Sequence, residues 1–196
     1  MIGEEAGALR DDQAISDAMD RYASGDNAAF GELYDRLAPR LLGFLHRQTG
    51  DRARAEDLVQ QTFLQMHCAR ETYVTGADVL PWAFAIARRL AIDSYRRGKR
   101  VVLDGDLDLA PLVSELAPEE ALRSKRAAER VQQTLESLPD GQRIAFELIK
   151  LDGLSVAQAA EALGTTVTAV KLRAHRTYEA LRGALREGVV EKEARR

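Results

Sequence analysis

Between Leu154 and Arg182 the chain reads LSVAQAAEALGTTVTAVKLRAHRTYEALR, and this stretch more than any other limits what the protein can fold into. Ser155 is followed three residues later by Gln158, a capping-box spacing that fixes a helix start. Alanines then recur at helical spacing, and Gly164 fits the turn after Leu163. A short helix, a glycine turn and a second helix form the helix-turn-helix layout, with Ala159 and Ala160 small where the two helices must cross closely. Helical periodicity extends through nearly all of the 196 residues, and no alternation of apolar and polar residues is long enough to argue for a sheet. The predicted class is all-α.

On a wheel at about 100° per residue, Val167, Val170, Ala174, Tyr178, Leu181 and Leu185 share a sector of roughly 80°, the expected core side. Thr168, Leu172 and Arg176 fall opposite, with Lys171 and His175 on one shoulder and Arg173 on the other. That outer face has no acid before Glu179. A helix that enters the major groove needs this arrangement: arginine can grip a guanine edge with two bonds, lysine can neutralise phosphate, and an exposed apolar side chain can touch a thymine methyl. For Leu172, contact with a neighbouring element or a merely exposed leucine stands equally beside that base contact.

The formal net charge of -3 conceals strong segregation. Residues 81–100 hold six basic side chains (Arg88, Arg89, Arg96, Arg97, Lys99, Arg100) against Asp93 alone. Residues 101–120 hold no basic residue and six acids (Asp104, Asp106, Asp108, Glu115, Glu119, Glu120), interspersed with Gly105, Pro111 and Pro118. The abrupt change of sign marks an acidic, flexible interdomain linker. The expected organisation is a loosely ordered segment over 1–18, a helical domain over 19–100, the linker over 101–123, a second helical domain with the helix-turn-helix over 124–187, and a tail over 188–196.

In the first domain the pattern predicts a helix near Gln13 to Ala23, then one opened by Asp26 and Asn27 that carries Phe30, Leu33, Tyr34 and Leu37, is bent or interrupted at Pro39, and resumes through Leu41, Phe44 and Leu45. After a break at Thr49 to Asp51, Leu58, Val59, Thr62, Phe63 and Met66 give an apolar face to a helix from about Arg52 to Arg70. A looser stretch, ETYVTGADVL, precedes a long helix from about Pro81 to Arg97. On that helix Arg88, Arg89, Arg96 and Lys99 share a sector of roughly 100°, beside Trp82, Ile86 and Leu90, which are expected in the core. Crowded cations without an acid among them call for an anion, and phosphate is the natural one. Phe84 and Tyr95 lie beside the sector, where each fits either a base-stacking role or the core.

Other classes find little support. No run nears the ~18 to 20 apolar residues of a membrane span, and the acidic opening MIGEEAGALRDDQ is unlike a secretory leader, so a cytoplasmic location is expected. Cys68 is the single cysteine, which excludes an internal disulfide and a cysteine-built zinc site, and it is expected as a buried or half-buried small hydrophobe. His46, His67 and His175 are scattered, and no phosphate-binding glycine loop or nucleophile with a base in reach is visible; no catalytic residue, metal, cofactor or small-molecule substrate is expected.

Three segments in series resemble the bacterial sigma factors of the extracytoplasmic-function group: AEDLVQQTFLQMH (Ala55 to His67), PWAFAIARRLAIDSYRR (Pro81 to Arg97) and the stretch from Leu138 to Arg182. They look like regions 2 and 4 of that family, in order, over about three quarters of the chain. The resemblance implies a protein without chemistry of its own that binds core RNA polymerase, directs it to promoter DNA and helps to melt it. It implies that Asp57, Leu58, Gln60 and Gln61 dock on the clamp of the beta-prime subunit. It gives Phe84, Arg88, Arg89, Tyr95, Arg96 and Lys99, with the loop before their helix, to the minus 10 element, and Thr168, Lys171, Leu172, Arg173, His175 and Arg176 to the minus 35 element. The rest of the second domain would sit on the flap of the beta subunit, and an anti-sigma factor would restrain the whole. Gln61, Arg89 and Leu172 depart from the family pattern, in which an acid, an asparagine and a small residue are expected. The acidic linker reads either as a solvated tether or, as the resemblance implies, as an RNA mimic in the polymerase channel. Two rival readings are a helix-turn-helix regulator that works without polymerase, which leaves the first domain unexplained, and a sigma mimic that binds an anti-sigma factor without touching DNA.

Overall fold

The computed structural model of the chain describes residues 2–97 and 125–193. The expected linker over 101–123, and Lys99 with it, lie outside the described residues. The chain forms two compact units.

The first contains α1 (Ile2–Ala23), α2 (Ala29–Thr49), α3 (Arg52–Ala69) and α4 (Val79–Arg97), with a single 3-10 turn at Arg70–Thr72. Helix α2 packs against each of the other three. Its Leu33, Leu37, Leu41, Phe44 and Leu45 are buried, a stripe at helical spacing. Burial of five such side chains, each contributing about 1.5–3 kcal/mol, outweighs the ~3 kcal/mol cost of an internal proline. Helix α2 therefore runs through Pro39 without interruption, which leaves of the expected bend or break at most a bend. Pro39 is exposed, and so is Asp35, whose carbonyl loses its helical donor and can turn to water. At the far end Gly50 closes the helix with φ 64°, its N–H donating to the His46 carbonyl at 2.8 Å, and Asp51 at once caps α3 by accepting from the Arg54 N–H at 3.2 Å.

Helix α1 departs from expectation. It is helical from Ile2 rather than from Gln13, so the stretch expected to be loosely ordered over 1–18 is helical almost from its beginning. From Asp11 onward tertiary contacts hold it: Asp11 pairs with Arg36 at 2.8 Å and Asp12 with Arg40 at 2.5 Å, both on α2, while Ile15, Ala18 and Met19 are fully buried.

The second unit contains α5 (Lys125–Ser137), α6 (Asp140–Lys150), α7 (Val156–Ala162) and α8 (Val167–Glu193). Its core joins Ala127, Val131 and Leu135 of α5 to Phe146 of α6 and to Leu181 and Leu185 of α8. Pro139 divides α5 from α6, and Gly153, at φ 72°, lets the chain leave α6. Helix α8 continues to Glu193, past the expected end of the domain near 187. Among the described residues there is no strand.

Candidate nucleic-acid interface

The helix-turn-helix forms as its sequence demands. The Ser155 N–H donates to Gln158 Oε1 at 2.6 Å, and the Gln158 N–H returns the bond to Ser155 Oγ at 3.1 Å, so two end groups of α7 are satisfied reciprocally. Gly164 turns the chain at φ 61°, its N–H bound to the Glu161 carbonyl at 3.0 Å. Thr166 then caps α8, its hydroxyl accepting from the Ala169 N–H at 3.1 Å, a cap that the sequence argument missed although threonine before the first helical residue is its usual mark. The start of α8 is thereby fixed at Val167 from both sides.

On α8 Thr168, Lys171, Leu172, His175 and Arg176 are all exposed. Leu172, at 47% exposure, is not covered by a neighbouring element, which leaves a solvent-exposed leucine and a base contact as its two readings. Arg173 differs from the rest. It is half-buried, and its guanidinium carbon lies 3.9 Å from where a Cβ on Gly141 would stand, so it leans across the start of α6 instead of joining the outer face. The reason is visible on the wheel, where Arg173 adjoins Thr177, and Thr177 is fully buried with its hydroxyl donating to the Arg173 carbonyl at 3.2 Å. Val167 is the opposite correction. It shares the core side of the wheel yet is 42% exposed, because side chains lean toward the N-terminus and the first residue of a helix leans off its end.

On α4 the cations sort differently. Arg96 and Arg89 are exposed and Arg88 is half-buried, but Arg89 already donates to Gln65 Oε1 on α3 at 2.7 Å. Tyr95 stands out at 62% exposure, free to stack. Phe84 is corrected: it is 1% exposed, packed edge-on against Phe44 with ring centroids 5.4 Å apart, and is a core side chain. Trp82, expected in the core, is half-buried and lies against Tyr73 with centroids 5.6 Å apart. Burial, and after it the charges of Asp20 and Asp78, push the Tyr73 hydroxyl far above its usual range, so it remains a donor.

Helix α3 carries the third surface. Asp57, Gln60 and Gln61 are exposed, whereas Leu58 is 3% exposed and belongs to the core with Val59, Phe63 and Met66. The exposed apolar residue on this face is Leu64, 61% exposed, at the next step of the i, i+3, i+4, i+7 series from Asp57, a spacing from which the sequence could have found it. Cys68, expected to be buried or half-buried, is exposed four residues further along this line. Among the described residues no group of three or more His, Cys, Asp or Glu side chains could hold a metal ion, and no helix is long and apolar enough to cross a membrane.

Known proteins share both units. Residues 33–101 match the model of sigma-70 region 2, and residues 128–181 match that of sigma-70 region 4. The chain is 35% identical over 169 residues to the RNA polymerase sigma factor CarQ of Myxococcus xanthus, covering 86% of this chain and 96% of that relative. It is likewise 35% identical over 168 residues to the ECF RNA polymerase sigma factor SigF of Caulobacter vibrioides, covering 85% of this chain and 90% of the relative. Among solved structures, CnrH in complex with the cytosolic domain of CnrY matches with a TM-score of 0.67 and 26% identity over 89% of this chain and 98% of that one. The sigma factor RpoE in complex with the anti-sigma factor NepR, from Bartonella quintana, matches in fold with a TM-score of 0.59 at 22% identity, covering 80% and 96% of the two chains.

Proposed function

The chain belongs to the extracytoplasmic-function sigma factors of the sigma-70 family, and on that premise we propose how its surfaces divide the work of bringing RNA polymerase to a promoter. As a sigma factor it directs core polymerase to promoter DNA and starts transcription; its role is regulatory. The observation that carries the division of labour is the exposed face of α8: Lys171, His175 and Arg176 beside the apolar Leu172, on a helix whose start is fixed by the Thr166 cap.

In this reading Arg176 reads a guanine edge of the upstream, minus 35 element, Leu172 meets a thymine methyl, and Lys171 and His175 hold phosphate, with Thr168 at the edge of the contact. Arg173 braces α8 on α6. On the first unit Arg88, Arg89 and Arg96 attract the backbone of the downstream, minus 10 element, and Tyr95 stacks on a base released by melting. Lys99 extends that basic run in sequence. Asp57, Gln60, Gln61 and Leu64 dock on the clamp of the polymerase beta-prime subunit, the three polar residues framing an apolar anchor. The other helices of the second unit rest on the flap of the beta subunit. The region 2 domain spans 19–100 and the region 4 domain 124–187. The protein does no chemistry of its own, works in the cytoplasm where its polymerase and DNA are, and is restrained by an anti-sigma factor, as its fold neighbour RpoE is bound by the anti-sigma factor NepR.

The six acids between Asp104 and Glu120 act on the polymerase as a displaceable mimic of nascent RNA. Neutralising them changes the ratio of abortive to full-length transcripts; unchanged yields reduce the segment to a tether. Reconstitution tests the whole reading. Pure protein added to core polymerase and a promoter library initiates at specific sites, whereas tight duplex binding without polymerase indicates a conventional regulator, and binding to an anti-sigma factor without any initiation indicates a mimic.

A further inference from the structure

The loop between the 3-10 turn and α4 is short, exposed at its tip and held from another helix. Val74, Thr75 and Gly76 are exposed, Val74 to 71%. The Ala77 N–H donates to the Val74 carbonyl at 3.0 Å and closes the tip as a turn. Gly76 sits at φ 82° with open space around the position of a Cβ, so the glycine is required by the backbone conformation and not by crowding. Its N–H donates to both carboxylate oxygens of Asp20 on α1, at 3.0 and 3.1 Å, across 56 residues of sequence. One turn earlier on α1, Ser16 Oγ accepts from the Val79 N–H at 3.4 Å, and Asp78 caps α4 by accepting from the Leu80 N–H at 3.0 Å. The Tyr73 hydroxyl donates to the Ala77 carbonyl beneath the tip.

The Asp78 cap is what any helix start calls for, but surface loops tolerate mobility, so a bare connector between two helices would not need the bonds from Asp20. Asp20 also carries a negative charge beside a surface that has to approach phosphate, an unfavourable placement that a charge-assisted bond to the loop backbone can offset. We infer that Asp20 is a positioning residue for promoter recognition: its carboxylate holds the Gly76 N–H, and with it the tip, in the geometry that presents Val74 to a base of the opened downstream element. The inference rests on the assignment of α4 and the loop before it to that element. A tip ordered before the DNA arrives spares the complex the cost of ordering it, and what is gained is discrimination between bases.

Asp20→Ala, Asp20→Asn and Val74→Ala proteins, each assembled with core polymerase, test it on a library varied at the downstream element with the upstream element fixed. Open-complex yield is read for each sequence, alongside core affinity and the melting temperature of the free protein. Asp20→Ala is expected to flatten the preference by about tenfold at the position where Val74→Ala also acts, the scale of one charge-assisted bond to backbone. Core affinity and the upstream preference stay as they were, and Asp20→Asn, whose Oδ1 still accepts, recovers most of the discrimination. If Asp20→Ala instead lowers every yield by the same factor, in step with its melting temperature, Asp20 is merely structural and the inference is overturned, while a position-specific effect of Val74→Ala leaves the loop assignment standing. A Val74→Ala profile identical to wild type removes both.

Discussion

Helices α8 and α4 are both basic, but they present their cations by different means. On α8 the outer face is assembled within some thirty residues by local signals: a capping box, a glycine turn, a threonine cap and a 3.6-residue period. On α4 the face depends on distant partners, because Arg89 is tied to Gln65 of α3, Phe84 is drawn inward by Phe44 of α2, and the preceding loop hangs on Asp20 of α1. The difference fits the two tasks proposed for them. Reading duplex bases needs one rigid rod of defined start and rotation, whereas opening DNA needs a surface that several helices hold together.

The largest test of that contrast sets two aromatic residues of α4 against each other. Phe84→Ala should destabilise the first unit by about 3–5 kcal/mol in urea titrations, the cost of a large cavity in a core. Tyr95→Ala should leave stability within about 0.5 kcal/mol yet weaken open-complex formation by about 1–3 kcal/mol, as loss of a stacking platform does. Matching stability losses would erase the distinction between core and platform.

Next in size is the division of labour on α8. Arg176→Ala is expected to cost about 1–3 kcal/mol of selectivity at one base step, while Lys171→Ala weakens binding evenly across sequences and reduces the salt slope. Arg173→Ala should instead lower the stability of the second unit by about 1 kcal/mol, through lost packing, with the base profile intact. Profiles measured on one promoter library at two salt concentrations separate the three.

Leu64→Ala on α3 should weaken association with core polymerase by about 1–2 kcal/mol, measured by competition, without lowering the melting temperature. The smallest effect falls on the local machinery of the helix-turn-helix: Ser155→Ala breaks the capping box and should cost about 1 kcal/mol of thermal stability, with promoter preference unchanged.

How much of this was legible in the sequence follows the same divide. The helix-turn-helix, the buried side of α3 and the break at Gly50 were written in local spacing, and the fold confirms each of them. Periodicity could not decide between neighbours on a wheel. Phe84 and Tyr95 are three turns apart on α4, and what separates them is Phe44, forty residues earlier. The unbroken α2 had the same origin, since a rule about proline was overruled by five buried side chains whose combined contribution is larger. The candidate site was thus readable where one helix suffices to build it, and unreadable where a second helix chooses which side chain faces out.

The most direct measurement is selection of sequences from a random duplex library by the wild-type protein, with and without core polymerase, at one salt concentration. The account predicts two blocks of preferred sequence at a fixed separation with polymerase present, the upstream block lost in Arg176→Ala, and weak, unselective retention when polymerase is left out. Selection of the same sequences by the free protein, or failure of the protein to join core polymerase at all, would contradict it.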